Sequence, residues 1–502
     1  MNRNTSHILS YLVALFVLSC NTQQKSQYYL GQGIMVGEVT SSSAILQSRL
    51  TSSDTLVNGD IPGIPGIGKF EVAIDPNFGD PIFSPIQLAK AENDFILKWS
   101  VSNLDPAQKY HYRLHFGPTE NDLQVGTAGT FKTLAGPNDE AATSLAIVTG
   151  MNYYHFHFGK YEKSAAYPGE DKHLGYPALE AIKKLRPDYF IGTGDNVYFD
   201  HPNEPNFRRA KEADKAPHHG RYNGKEVIDE SGMRKKYHEQ FSQHRFRQLF
   251  REVGTYWLKD DHDYRFNDAD PFRDHSISHQ LGIKNFKEQL PVASDLNTET
   301  YRTHRMSQDL QLWFVEGRDD RSANNKKDGP GKTLWGAEQL EWLKSTLLSS
   351  DATFKILVSP TPLVGPDDRY KSDNHTNPNG FKYEGDRFFE WLSDNKSAIG
   401  SFHIICGDRH WQYHAIHPSG FEEFSTGALI DNNSRAGRLS GDPDSTDPDG
   451  TIEQLYVQGT KEEASGGFLL LNITPNHERA EAKFSFYDEH GNLLYEALRY
   501  PK

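Results

Sequence analysis

Two hydrophobic periodicities divide the chain. From residue 28 to about 135, short apolar runs alternate with Gly, Pro, Asn and Asp and show little helical period, which predicts strand after strand. Within 110–116 apolar and polar positions alternate as a half-buried strand requires, and 129–133 reads as a closing strand. About 100 residues of short strands suit a β-sandwich. A polar linker, Gly136-Pro137-Asn138-Asp139-Glu140, follows, and from 144 helices alternate with strands. Residues 176–185 carry a helical period that stops before Pro187, and Tyr189-Phe190-Ile191 then runs as a buried strand into Gly192-Thr193-Gly194-Asp195. The unit recurs in a helix over 334–348, with Leu340, Leu343, Leu347 and Leu348 on one side, and a strand over 354–358. A third strand, 402–406, ends in Gly407-Asp408-Arg409-His410. Carboxyl ends of strands are where open α/β sheets place ligands, and these polar loops all fall there.

Two long polar stretches, 201–236 and 431–467, interrupt the pattern and read as surface insertions: lids, substrate walls or excursions without a role. The chain closes with an apolar run at 468–471 and a hairpin of 482–487 and 493–500 around a turn at 488–492. At the other end, residues 1–20 join one arginine, a short apolar run and Val17-Leu18-Ser19-Cys20, a signal-peptide pattern. The ending resembles a bacterial lipobox, so Cys20 is expected to carry a lipid anchor on an exported protein of the cell envelope; simple secretion after cleavage near Ser19 is the alternative. The apolar run is shorter than the ~20 residues of a spanning helix.

Composition narrows the function. The 502 residues hold 68 Asp and Glu against 54 Lys and Arg, a formal charge of −14, which argues against nucleic acid as partner. Of the two cysteines, acylation of Cys20 would leave Cys406 alone, with no disulfide possible inside the chain.

Three clusters carry candidate chemistry. Asp195 stands one step past a buried strand with Tyr198 three residues on, so both could face one cation; the bland reading is a turn or a helix cap. Asp260-Asp261-His262-Asp263 packs three carboxylates and an imidazole into four residues, which repel one another unless a cation sits among them, or form a solvated acidic turn. Asp408 and His410 follow the third strand. Oxygen and imidazole donors at strand ends suit hard or borderline cations.

Gly194-Asp195-x-x-Tyr198, Asp260-Asp261-His262-Asp263 and Gly407-Asp408-x-His410-Trp411, in that order behind an expected β-sandwich, resemble the PhoD-like alkaline phosphatase and phosphodiesterase family of calcineurin-like metallophosphoesterases. The resemblance covers nearly the whole chain past the leader. It implies an α/β/β/α metallophosphoesterase sandwich over 141–502, behind a fibronectin-like amino-terminal β-sandwich over 28–135 in which Leu104-Asp105-Pro106 opens a strand. By the same resemblance Asp195 bridges metals, Tyr198 matches an iron-binding tyrosinate, and Asp261, Asp408 and His410 complete the ligands. His262 matches the histidine that contacts substrate or leaving group, with Asp263 orienting it. The activity implied is hydrolysis of phosphate esters by a metal-bound hydroxide, with monoester or diester preference, natural substrate and oligomeric state open.

The chain also departs from the pattern. Gly150 stands where the family has an iron-binding cysteine, and Asn152, His155 or His157 either compensate or are simply packed. Calcium, iron, manganese and zinc all stay open as the metal. Arg318, in a segment resembling a family strand that ends in Leu-Asp-x-Arg, is a candidate anion binder or a partner of nearby carboxylates; Lys371, Asn374 and His375 are further candidates or rim residues. Two other readings remain: a hydrolase of another oxyanion ester such as a polysaccharide sulfate, although no Cys/Ser-x-Pro-x-Arg signature is present, or a catalytically degenerate surface lipoprotein that only binds.

Overall fold

The computed structural model describes residues 27–159, 165–201, 227–458, 464–476 and 479–502. The leader with Cys20, and most of the polar stretch that begins at His201, lie outside the described residues. Among those described, no helix is long and apolar enough to cross a membrane.

A nine-stranded mixed sheet runs, edge to edge, Leu493–Arg499, Glu481–Asp488, Gly467–Thr474, Thr143–Val148, Tyr189–Thr193, Gly254–Leu258, Ile34–Gly37, Ser43–Arg49 and Ile96–Ser102. Its centre is parallel, with Ile147 opposite Ile191 and Ile191 opposite Tyr256. Val36 lies opposite Gly254, again in parallel, so strands of the amino-terminal β-rich region continue the same sheet. The expected separate sandwich over 28–135 is therefore shared out: three of its strands cover what would otherwise be an open edge at Gly254–Leu258. The rest of that region forms a six-stranded sheet around Gly66–Ala73 and Lys109–Thr119, where the closing strand Gly129–Lys132 pairs as the sequence pattern suggests.

A seven-stranded sheet runs Arg302–Arg305, Leu310–Phe314, Phe354–Ser359, Ser401–Cys406, Glu422–Thr426, Gln412–Ile416 and Glu453–Val457. Side chains alternate between the faces of its strands and those of the large sheet. Leu145, Ile147, Ile191 and Leu469 join Leu312, Ile356, Val358 and Phe424 in one apolar cluster that draws on both sheets. Ala146, Val148 and Phe190 point the other way, to a cluster with the helices Pro177–Leu185, Glu230–Phe241 and His244–Phe250. Trp313, Leu357 and Ile404 likewise pack with the helices Ala337–Ser349 and Lys382–Asp394. Leu343 and Leu347 are buried there, whereas Leu348, expected on the same side, is exposed.

The polar stretches are more than surface insertions. His201 and Lys236, the ends of the first, are buried, and the lysine ammonium donates to the His201 carbonyl. The second begins with a single turn, Asp431–Asn433, that reaches the interior.

Candidate active site

The strands Tyr189–Thr193 and Ser401–Cys406 belong to different sheets, yet their ends nearly touch. A Cβ on Gly407 would lie 2.6 Å from Thr193 Oγ1 and 2.9 Å from the Pro360 carbonyl, so only glycine permits this approach. Gly194 (φ +107°) does the same against Asp260, whose Cβ would lie 2.6 Å from an added one. The Gly-Asp pairs thus serve two purposes: the glycine lets the strand ends close, and the aspartate after it turns into the gap. Asp195 (φ 54°) and Asp408 (φ 59°) both adopt the left-handed conformation, which aspartate tolerates better than most residues.

Asp195 is buried, and its Oδ2 accepts from Tyr198 Oη at 2.9 Å and lies 3.2 Å from His410 Nε2. Its Oδ1 has no partner. Donor atoms of Asp195, Asp261 and His262 lie within 4.8 Å of one another. Burial pushes Asp195 well above the ordinary carboxylate range; His262 opposes the shift, while Asp261, Asp263 and Asp408 add to it. Against the cost of burial, His262, Arg318 and the amide of Asp268, which donates to Oδ2 at 2.6 Å, hold Asp261 below that range. A buried carboxylate oxygen without a donor, facing further carboxylates and imidazoles, is the environment a hard or borderline cation satisfies. The sequence candidates Asp195, Tyr198, Asp261, His262 and His410 do converge, with Asp408 near enough for its charge to act on Asp195.

Other candidates take different positions. His262 Nδ1 pairs at 2.7 Å with Asp200 Oδ1, not with Asp263, and Asp200 Oδ2 accepts from the Asn267 amide at 2.9 Å. The Asp263 carboxylate turns inward: it accepts from the Asp260 amide at 2.7 Å and from Asn196 Nδ2 at 2.5 Å, stapling two loops together, and burial raises it to about 6. The expected orienting role of Asp263 therefore passes to Asp200, because the turn after Asp260 aims residue 263 at the backbone behind it. Arg318 is sealed from solvent: Nε donates to Asp260 Oδ1 at 2.7 Å and Nη1 to the Ala269 carbonyl at 2.9 Å, so it braces a loop and reaches no substrate. His375 pairs with Glu384 at 2.9 Å beneath Trp335, and Asn374 caps its own loop through Thr376, so neither is a rim residue.

The missing cysteine has a steric counterpart. Gly150 is left-handed (φ +67°), and a Cβ there would lie 3.2 Å from Asn433 Nδ2. That amide donates to the Gly150 carbonyl at 3.0 Å and to Tyr198 Oη at 2.8 Å, while Asn433 Oδ1 faces His155 Nδ1 at 3.0 Å. Asn152 Oδ1 caps the helix Tyr153–Phe158 by accepting from the His155 amide, and its Nδ2 lies 2.9 Å from His201 Nδ1. His157 rests against Gln243, and burial lowers it to about 4. Of the three suggested replacements, Asn152 and His155 thus line the margin of the site and His157 faces away from it. Asn433, Asp200 and His201 were not singled out by sequence reasoning; all three lie in or beside stretches whose polarity resembles loop, and only Asp200, five residues past Asp195, had a local signal.

Residues 148–482 match the model of the PhoD-like phosphatase family, and 17–135 match that of the PhoD-like phosphatase N-terminal domain. Alkaline phosphatase D of Bacillus subtilis (strain 168) is 24% identical over 356 residues, covering 66% of this chain but 56% of its own length. A solved structure of PhoD superposes with a TM-score of 0.68 at 19% identity, over 95% of this chain and 90% of the other. A purple acid phosphatase, PPD1 of yellow lupin (Lupinus luteus), superposes at 0.57 with 11% identity, over 94% and 74%.

Proposed function

Because the chain belongs to the PhoD-like phosphatase family, we propose that it is a metal-dependent hydrolase of phosphate esters. The observation that carries this reading is the convergence of Asp195, Asp261 and His262, with His410 3.2 Å from one oxygen of the Asp195 carboxylate while no protein donor satisfies the other. Asp195, Tyr198, Asp261, Asp408 and His410 would hold the cations, whose identity is calcium, iron, manganese or zinc. When bound, such ions supply Lewis acidity that activates water as nucleophile and offsets charge on the phosphoryl oxygens. The side chains do the rest. Asp200 fixes the His262 ring through Nδ1, which leaves Nε2 to deliver a proton to the departing alkoxide. The Tyr198 ring lies tilted by 32° against His262, centroids 4.3 Å apart, and limits how far the imidazole can swing.

The same reading covers the architecture and the compartment. The two large sheets, sharing one apolar cluster and each backed by helices, are read as the four layers of an α/β/β/α sandwich behind a fibronectin-like region. The leader pattern supports export with a lipid anchor at Cys20, testable by the mass of the mature amino terminus and its loss in Cys20→Ser.

The test is elemental analysis of the purified chain together with turnover of a nitrophenyl phosphomonoester and a bis-nitrophenyl diester under added calcium, manganese, zinc and iron. Metal-dependent release of nitrophenol is expected. A protein that binds no metal and releases none overturns the reading and favours a binding module.

A further inference from the structure

Among the described residues, the buried lysines and half-buried Lys98 spend their ammonium donors on protein acceptors. Lys259 bonds Glu316 and Asp319 at 2.6 and 2.8 Å, Lys355 bonds two carbonyls, Lys332 donates to the Asn324 carbonyl at 2.9 Å, and Lys98 reaches three carbonyls. Lys371 does not follow that pattern. Its Nζ lies 3.6 Å from Asp268 Oδ1, beyond hydrogen-bond distance, and that is its nearest ion-pair contact; its backbone amide alone is spent, on the Asp368 carbonyl. The carboxylates around it are also uncommitted: Asp268 Oδ1 and both oxygens of buried Asp373 lack a hydrogen-bond partner. An ammonium set among carboxylates but bonded to none of them keeps three donors available, and in a partly desolvated place that is costly unless an acceptor arrives.

Its position decides which acceptor. The Asp268 amide donates to Asp261 Oδ2, so one neighbour of Lys371 lies one residue link from a proposed metal ligand. Asp408, a second proposed ligand, acts on Lys371 through its charge together with Asp373, Asp268 and Asp367. The lysine side chain keeps 19% exposure. Two of the neighbouring guanidinium groups are not available in this way. Arg318 and Arg409 are sealed at 0% exposure, the first on Asp260 and the second between Asp367 and Asp408 at 2.9 and 2.7 Å. Arg435 is also beyond hydrogen-bond distance of its carboxylates, 3.6 Å from both Asp367 and Asp368, but its guanidinium lies over the Trp411 ring, 4.5 Å from the centroid.

We propose that Lys371 binds a non-bridging oxygen of the substrate's phosphoryl group, the role that sequence pattern suggested for Arg318. This rests on the phosphoesterase reading above, and it makes the loop 367–373 a substrate-binding wall. The ammonium acts as a point charge with rotatable donors, suited to an oxygen that shifts as the phosphorus inverts.

The test uses the metal-loaded full chain and the variants Lys371→Met and Lys371→Arg, with inorganic phosphate as probe. Calorimetric phosphate binding and competitive inhibition by phosphate are expected to weaken roughly tenfold or more in Lys371→Met, with bound metal and Tm unchanged, and to recover in part in Lys371→Arg. KM for the nitrophenyl monoester should rise in parallel. Unchanged phosphate affinity in Lys371→Met overturns the proposal, as does a loss matched by lost metal or lowered Tm that Lys371→Arg does not rescue. Phosphate binding is read without turnover, so a wild-type protein that binds phosphate but hydrolyses no ester would reject the phosphoesterase reading while still deciding the part played by Lys371.

Discussion

Asp200 and Asp263 are two buried carboxylates, the first 2.7 Å from the His262 imidazole and the second its neighbour in sequence, and their surroundings give them opposite work. Asp200 accepts from His262 Nδ1 and orders the ring, whereas Asp263 accepts backbone and amide protons and orders the loops. Asp200→Asn should therefore keep metal and fold but lower kcat by roughly ten- to a hundredfold through a loosened tautomer and ring, checked by kcat against metal content. Asp263→Asn should instead lower stability by about 1–3 kcal/mol, seen as a fall in Tm. Asp195→Asn is expected to remove metal and turnover together. His262→Ala should retain metal and lose about 10²–10⁴ in kcat; retained turnover in either would contradict the assignment. The Asp200 role was hidden in the sequence because residue spacing does not tell which way a turn aims its side chain.

Strand ends, not individual side chains, bring the clusters together. Gly407 lies against Thr193 and Pro360, and Gly194 against Asp260, so each Gly-Asp pair is a junction between loops as well as a source of a carboxylate. Replacing Gly407 by alanine puts a methyl group within 3 Å of backbone that cannot move aside cheaply, and a loss of about 2–4 kcal/mol with reduced metal affinity is expected from denaturation and metal titration. Gly150 and Asn433 form a second such junction. Gly150→Ala should destabilise the protein, partly through its left-handed φ and partly through crowding of Ala428 and Asn433; adding Asn433→Gly should remove the Asn433 share, a non-additivity that a double-mutant cycle reads directly. The strands and their polar ends were legible because a buried apolar run followed by Gly-Asp is a local pattern. Asn433 was not, since nothing in a Gly- and Asp-rich stretch marks the one amide that folds back under the site.

Across the whole molecule, charge ties the sheets together in a pH-dependent way. Glu38, just past the strand Ile34–Gly37, bonds Arg302 at 2.7 and 2.6 Å and His304 at 3.0 Å on the edge strand of the other sheet. Burial opposes ionisation, but these partners hold its carboxyl down at about 2. A depressed carboxyl stabilises the fold above its unfolded value and loses that contribution as pH falls, so on the order of 3 kcal/mol should disappear between about pH 5 and 2. Glu38→Gln should flatten acid denaturation over that window. Glu239 has the opposite sign: burial raises it to about 7, with Oε2 unpartnered, so the folded state holds a proton that the unfolded state releases. Stability should fall as pH rises from about 4.5 to 7, and Glu239→Gln should gain relative to wild type at pH 8 but not at pH 4.

From its sequence alone the chain determined its amino-terminal β-rich region, the alternation of helix and strand that follows, the three acidic and histidine clusters, and the family they belong to, because each is written in nearest-neighbour pattern: period two, period 3.6, and glycine before aspartate at the end of a buried run. Tertiary structure alone decided which side chains meet. That Ile34–Gly37 would extend the large sheet, that Arg318 would be consumed by Asp260, that Asp200 would hold His262 and that Asn433 would fill the space beside Gly150 all depend on contacts between segments far apart in sequence. Such contacts follow from how two sheets pack across a shared core, and local periodicity carries no record of that packing.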